Sequence, residues 1–191
     1  MSYPSAEHDR MIAAMLMPCV VVGVDLMASA VRVQSGDWVS AWVRWHGLAA
    51  GEARHWRAPS IGEQGVLFNP SGQAGMGTFV PGLYGAAGPP PDNRDHVEVW
   101  RFPDGGSLVY DWQANSYTID LPAGTATVKV GDSVFEVTPA SIRLVSSQIY
   151  LTGEVIIDGA ATVSSTLHTT GNISSGASII DTTGNTPNHK H

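Results

Sequence analysis

Charge is scarce in this chain: only 14% of its 191 residues are Asp, Glu, Lys or Arg. That is low for a soluble monomer and implies that much of the surface is covered. Basic residues are fewer still, 10 Lys and Arg against 17 Asp and Glu, for a net charge of −7. This argues against a nucleic-acid binder, whose affinity rests on neutralising phosphates. Cysteine is reduced to Cys19, so no disulfide can close within the chain and nothing demands an oxidising compartment. The longest apolar stretch, Met11 to Val24, has 14 residues and is interrupted by Pro18. It is too short to cross a bilayer. Glu7 and Asp9 spoil the positive segment of a secretory signal, and Leu16-Met17-Pro18-Cys19 lacks the small residues of a lipoprotein cleavage site. Synthesis in the cytoplasm without a signal peptide is therefore expected. Catalytic motifs are missing too: there is no Gly-rich phosphate loop, nucleophile elbow or HExxH. Asp92 and Asp95 lie in a Pro-rich stretch that implies no pocket. No enzyme is expected.

Turn residues, by contrast, abound, with 21 Gly and 12 Pro. Together with normal apolar content they predict β structure. Residues 1–18 read as a short helical arm, capped near Ser5 and ending before Pro18. Residues 19–90 hold four of the six tryptophans and five irregularly spaced strands: CVVVGVDL, AVRVQS, WVSAWVRW, GVLFNP and GTFVPGLY. Five short strands in this space fit a small closed barrel of the OB type. GAAGPPPDN at 85–93 is too rich in Pro and Gly to continue a sheet, and 91–95 is assigned as a linker.

From residue 96 to 180 the texture is monotonous. HVEVWRF, SLVYDW, YTIDL, ATVKV, SVFEV, SIRLVS, QIYLTG, EVIIDG and ATVSST each alternate apolar with polar residues, punctuated by Gly, Asp, Ser or Asn. Such strands cannot each bury a face alone and must stack on something. A single-chain solenoid is one solution, and three chains wound about a common axis is another. The composition becomes smaller and more polar towards the end, which favours the second: a tapering object needs smaller inward residues near its point.

Two stretches carry a family resemblance. Trp56, Pro59, Gly62, Glu63 and Leu67 form an aromatic–x–x–P–x–x–G–E–x–x–x–L run, and Gly77, Val80, Gly82, Leu83 and Tyr84 form a closing element. With the order barrel, linker, repetitive strands and terminal His-x-His, the chain resembles the central spike, or baseplate assembly protein V, of contractile-tailed phages and R-type bacteriocins. The resemblance implies an all-β homotrimer. Its OB-fold base would dock on the tail hub, and an intertwined triple-stranded β-helix would taper to a metal-closed, membrane-piercing tip at residues 181–191. It further implies one iron ion held by His189 and His191 from each of three chains. Calcium and chloride occur near the tip of some relatives, and no motif here places them. The particle would be a virion or a bacteriocin, the target the outer membrane of a bacterium.

The terminal pair makes chemical sense on that reading. Residues i and i+2 of an extended strand share a side, so His189 and His191 would face inward and Lys190 outward. Six imidazoles from three chains make an octahedral nitrogen set, which suits Fe²⁺ better than tetrahedral Zn²⁺. With every position filled, the ion would staple a point too narrow for an apolar core. His168 is expected to be an ordinary surface or core residue, and His8, His46, His55 and His96 show no ligand spacing.

Two other functions have some support in the sequence. Trp38, Trp42, Trp45 and Trp56, with Arg32, Arg44, Arg54 and Arg57 among them, could stack and bind single-stranded nucleic acid, although core or subunit-interface aromatics are the better reading in an acidic chain. A hexapeptide-repeat acyltransferase with His168 as base is the second. Leu167, Ile173 and Ile179 keep a period of six, as do Ile157 and Val163, but the two series are out of phase, which counts against it.

Overall fold

The computed structural model describes residues 3–177. Helix α1 (Tyr3–Met15) opens the chain, with Glu7 and Arg10 paired at 2.6 Å one turn apart. Pro18 could not lie in a helix interior, and the chain passes straight into strand β1 (Leu16–Asp25). Helix ends leave carbonyls without partners. Here the buried Asn69 supplies them: its side-chain amide donates to the Ala14 carbonyl and its backbone N–H to that of Met15, each at 2.8 Å.

Strands β2 (Ala30–Ser35), β3 (Trp38–Val39), β4 (Val43–Trp45), β5 (Gln64–Phe68) and β6 (Thr78–Leu83) join β1 in one sheet, ordered β1-β5-β6-β4-β2-β3. Because β1 also pairs with β2, the sheet closes into a five-stranded ring, with β4 and β6 parallel and the other pairs antiparallel. This is the barrel expected from the strand spacing. Its centre is filled by Cys19, Val21, Val31, Val33, Val43, Leu67 and Phe79, which alternate along their strands with more exposed residues. Gly65 makes room for the largest of them. A Cβ there would lie 2.4 Å from the Phe79 ring and 2.3 Å from the Val80 carbonyl.

WVSAWVRW is not the continuous strand expected. It splits into β3 and β4 around Ser40, which is fully buried. The Ser40 hydroxyl accepts from the Val33 N–H (3.0 Å) and its own N–H donates to the Val33 carbonyl (2.9 Å). One side chain thus replaces a rung of the ladder and lets the backbone turn. As a result Trp38 and Trp45 pack against the core, whereas Trp42 and Trp56 remain 52% and 62% exposed.

After a tight turn closed by mutual Gly85 and Gly88 hydrogen bonds, β7 (Val97–Arg101), β8 (Ser107–Asp111) and β9 (Ser116–Asp120) form an antiparallel meander. Strands β10 (Ala126–Val130), β11 (Ser133–Val137) and β12 (Ile142–Val145) form a second three-stranded sheet. The chain divides into two compact units after Ala126, downstream of the Pro- and Gly-rich segment. Among the described residues no strand follows Val145. QIYLTG, EVIIDG and ATVSST, read from the sequence as strands, find no strand-pairing partner among the described residues.

Candidate self-association surface

Cross-strand register fixes which side chains share a face. In the first meander Trp100 stands opposite Leu108, Leu108 opposite Ile119, and Tyr110 opposite Tyr117. These five residues therefore line one face of the sheet. Tyr117 is 61% and Ile119 55% exposed, and a cavity of about 140 Å³ opens over Glu98, Trp100, Leu108, Tyr110 and Tyr117. In the second sheet Phe135 faces Leu144 and Val137 faces Ile142, while Glu136 faces Arg143 on the other side. A cavity of about 250 Å³ on this sheet is lined by Val128, Val130, Phe135, Leu144 and Ile149 among others. Beyond it Leu151, Val155, Ile157, Val163, Leu167 and Ile173 are all more than half exposed. A soluble monomer rarely leaves more than a few hundred Å² of contiguous apolar surface open.

The barrel's signature residues have local reasons. Gly62 has a φ of +85°, a conformation side chains disfavour, and its N–H donates to the Val21 carbonyl at 2.9 Å. The Glu63 carboxylate receives two guanidinium N–H groups of Arg57 and the Ser60 N–H. Partial burial raises the Glu63 pKa, but Arg57 and the Ser60 amide outweigh it and hold the carboxyl below its ordinary value. Pro59 and Leu67 are buried. Trp56 instead leans on Trp45, with ring centroids 5.4 Å apart. In the closing element a Cβ on Gly77 would meet the Asn69 side chain at 2.3 Å, and Gly82 has a φ of +100°. Leu83 and Tyr84 stay exposed.

A polar cluster pins the linker. The Arg94 guanidinium bonds Asp92 at 2.8 Å and Asp111 at 3.2 Å, and His96 Nδ1 lies 3.0 Å from Asp95. The Arg94 side chain holds Asp92 well below the usual carboxylate range, and the Ala114 amide does the same, less strongly, for Asp111.

His189 and His191 lie outside the described residues. His168 is exposed, and among the described residues no three His, Cys, Asp or Glu side chains converge on a metal-sized site. Cys19 is buried in the barrel, and desolvation pushes its thiol up to about 11. Three of the four arginines interleaved with tryptophan are engaged within the chain: Arg32 with the Ser40 carbonyl, Arg54 with that of Gly51, and Arg57 with Glu63. Of the four, Arg57 has a carboxylate partner, Glu63. No described helix is long and apolar enough to cross a membrane.

Residues 17–84, from β1 to just past β6, match the type VI secretion system/phage-baseplate injector OB domain, and residues 98–175 match the Gp138 beta-helical trimerization domain. The chain is similar to phage baseplate spike proteins. Over 97% of its length it is also 29% identical to the spike protein of Escherichia phage P2, 90% of which is covered. The two apolar sheet faces and nearly all of the unpaired segment fall inside the second match.

Proposed function

We propose that this chain is the membrane-piercing central spike of a contractile tail or tail-derived bacteriocin, acting as an obligate homotrimer. The observation that carries the reading is the contrast between a closed barrel and some 80 following residues most of whose large apolar side chains stay substantially exposed in their own chain. Extended apolar faces of this kind are what obligate assemblies cover. Three copies related by one axis would cover them symmetrically. The role is mechanical: the OB base would sit on the tail hub, and sheath contraction would drive the shaft into the target's outer membrane. Such a protein resides in the baseplate of the particle and needs no catalytic group.

His189 and His191 would close the tip on an iron ion shared by three chains. The donor set supports this, since two neutral imidazoles per chain give six nitrogen ligands and leave no open coordination position for substrate. The ion would supply a staple, and the histidines would orient it. Elemental analysis of untagged protein, together with light scattering, tests the assembly and the metal at once. The expected result is a trimer carrying one iron per three chains. Changing both His189→Ala and His191→Ala should abolish the iron and leave the trimer mass intact. A monomeric wild type would overturn the spike reading, and a metal-free trimer would remove only the iron.

A further inference from the structure

By composition residues 85–96 read as a linker, yet the structure fastens them at both ends. At the barrel end Gly85 and Gly88 bond each other, each N–H donating to the other's carbonyl at 3.1 Å. A Cβ on Gly85 would collide with the Gln64 side chain of β5, and one on Gly62 would touch Ala87 at 3.4 Å. The turn therefore lies directly against the barrel. At the far end Asp92 shapes the chain, its Oδ1 accepting the backbone N–H groups of Asn93 and Arg94 at 2.8 and 2.9 Å. That turn aims the Arg94 guanidinium at Asp111. The Asp111 carboxylate faces two ways: Oδ2 accepts from Arg94 at 3.2 Å, and Oδ1 accepts from the Gln113 and Ala114 amides in the turn between β8 and β9. Its side chain is only 13% exposed, so solvent screens this contact less than it does a fully exposed pair. One further rung, from the Trp112 N–H to the His96 carbonyl at 3.2 Å, carries the β7–β8 ladder back into the segment.

Between the two fastenings stand Pro89, Pro90 and Pro91. Each ring locks one backbone torsion, and consecutive prolines make a semi-rigid spacer where Gly and Ser would make a flexible one. Side-chain packing does little of this work. Clefts of about 650 and 470 Å³ flank β7, with Glu98 and Trp100 lining the first and Val99 and Arg101 the second. Across the larger cleft the rings of His55 and Trp100 meet edge to face, their centroids 6.4 Å apart. The compact unit that holds the barrel nevertheless runs on through the first meander to Ala126.

We infer that residues 85–96 are a rigid strut, anchored by Asp111, that holds the barrel and the first meander as one body. Asp111 is a positioning residue: a single carboxylate ties the strut to a turn that belongs to the meander. The use of such a strut rests on the mechanical reading proposed above. Thrust on the barrel would pass into the meander with no hinge between them.

Trypsin reads the strut directly, because cleavage after Arg94 requires the segment to leave its fastenings. Initial cleavage rates after Arg94 and Arg101 are measured on the full chain. Each is divided by the rate at the same bond in a synthetic peptide of residues 85–105, which removes the influence of the flanking acids. Asp111→Asn keeps an acceptor for the β8–β9 turn and removes the charge facing Arg94. Asp120→Asn neutralises another carboxylate of the same meander and serves as the control. Wild type and Asp120→Asn should resist at both bonds. Asp111→Asn should be cut about tenfold faster after Arg94, as the loss of one charge-assisted bond implies, with Arg101 as resistant as before. Changing Pro89, Pro90 and Pro91 together to Gly should also speed cleavage after Arg94, and no change there overturns the stiffness assigned to them. Wild type cut after Arg94 as fast as the peptide overturns the strut. Equal resistance of wild type and Asp111→Asn overturns the anchor. So does equal acceleration at Arg101, which would mean that Asp111 merely keeps the meander folded. Light scattering on the same samples separates the two readings. A resistant Arg94 bond in a wild type with the mass of one chain keeps the strut and removes the trimeric spike, whereas a susceptible bond in a trimer removes the strut alone.

Discussion

The barrel and the strands that follow it solve the same problem in opposite ways. Both alternate apolar with polar residues, and both are short-stranded and cut by glycine. In the barrel the ring closes through β1 with β2, and seven side chains, Phe79 and Leu67 chief among them, vanish from solvent without help. In β7 to β12 the backbone is paired and the apolar faces are bare. After Val145 the described backbone joins no strand, and the apolar side chains from Leu151 to Ile173 stay largely exposed. Closure is a property of topology, not of pattern. A sheet that returns to its own first strand buries one face by itself, whereas an open one needs another element to cover it. The low charge of the chain is the compositional trace of that need.

Substitutions on either side of the divide should therefore fail differently. Phe79→Ala removes the largest side chain at the barrel centre, where Gly65 has been spared a Cβ to accommodate it. It should cost about 3–5 kcal/mol of barrel stability, read as a lowered urea midpoint that does not depend on protein concentration. Leu144→Asp lies on the open face opposite Phe135. It should leave the barrel's unfolding transition within about 0.5 kcal/mol of wild type, as for a surface change, while the assembled mass is lost at low concentration and regained at high. A barrel that melts along with the assembly would erase the comparison.

The sequence displays this division in part. AVRVQS, ATVKV and SVFEV are strands over the very residues whose alternation marks them, because turn residues bound each run on both sides. The split within WVSAWVRW stayed hidden, since a buried serine hydroxyl that takes the place of a backbone donor or acceptor leaves no trace in hydrophobic periodicity. QIYLTG and its successors do have a strand pattern, yet a pattern says only that a partner is needed, not which molecule provides it. The alternation in YTIDL and SIRLVS likewise marks a face that needs cover, and Tyr117 and Ile142 on those faces are exposed. The terminal histidines were legible as a motif, and they fall outside the described residues.

The smallest of these effects probes how the barrel seals its own edge. Arg57 and the Ser60 amide hold the Glu63 carboxylate, and the Gly62–Glu63 backbone exchanges two hydrogen bonds with Val21, both at 2.9 Å, extending the β1–β5 pairing by one rung. Glu63→Gln keeps an acceptor for Ser60 and removes the charge facing Arg57. Because Arg57 is about half exposed, solvent screens the pair and the loss should be about 1 kcal/mol at neutral pH. The sign of its pH dependence follows from the lowered carboxyl pKa. The stabilisation is complete above the unfolded-state value of about 4.3 and disappears as pH falls through the lower folded value. Barrel melting curves of wild type and variant should thus stand apart at pH 7 and converge in acid. A gap of the same size at pH 3 would mean that Glu63 acts through shape and packing, and that the edge is sealed by its backbone bonds to Val21 alone.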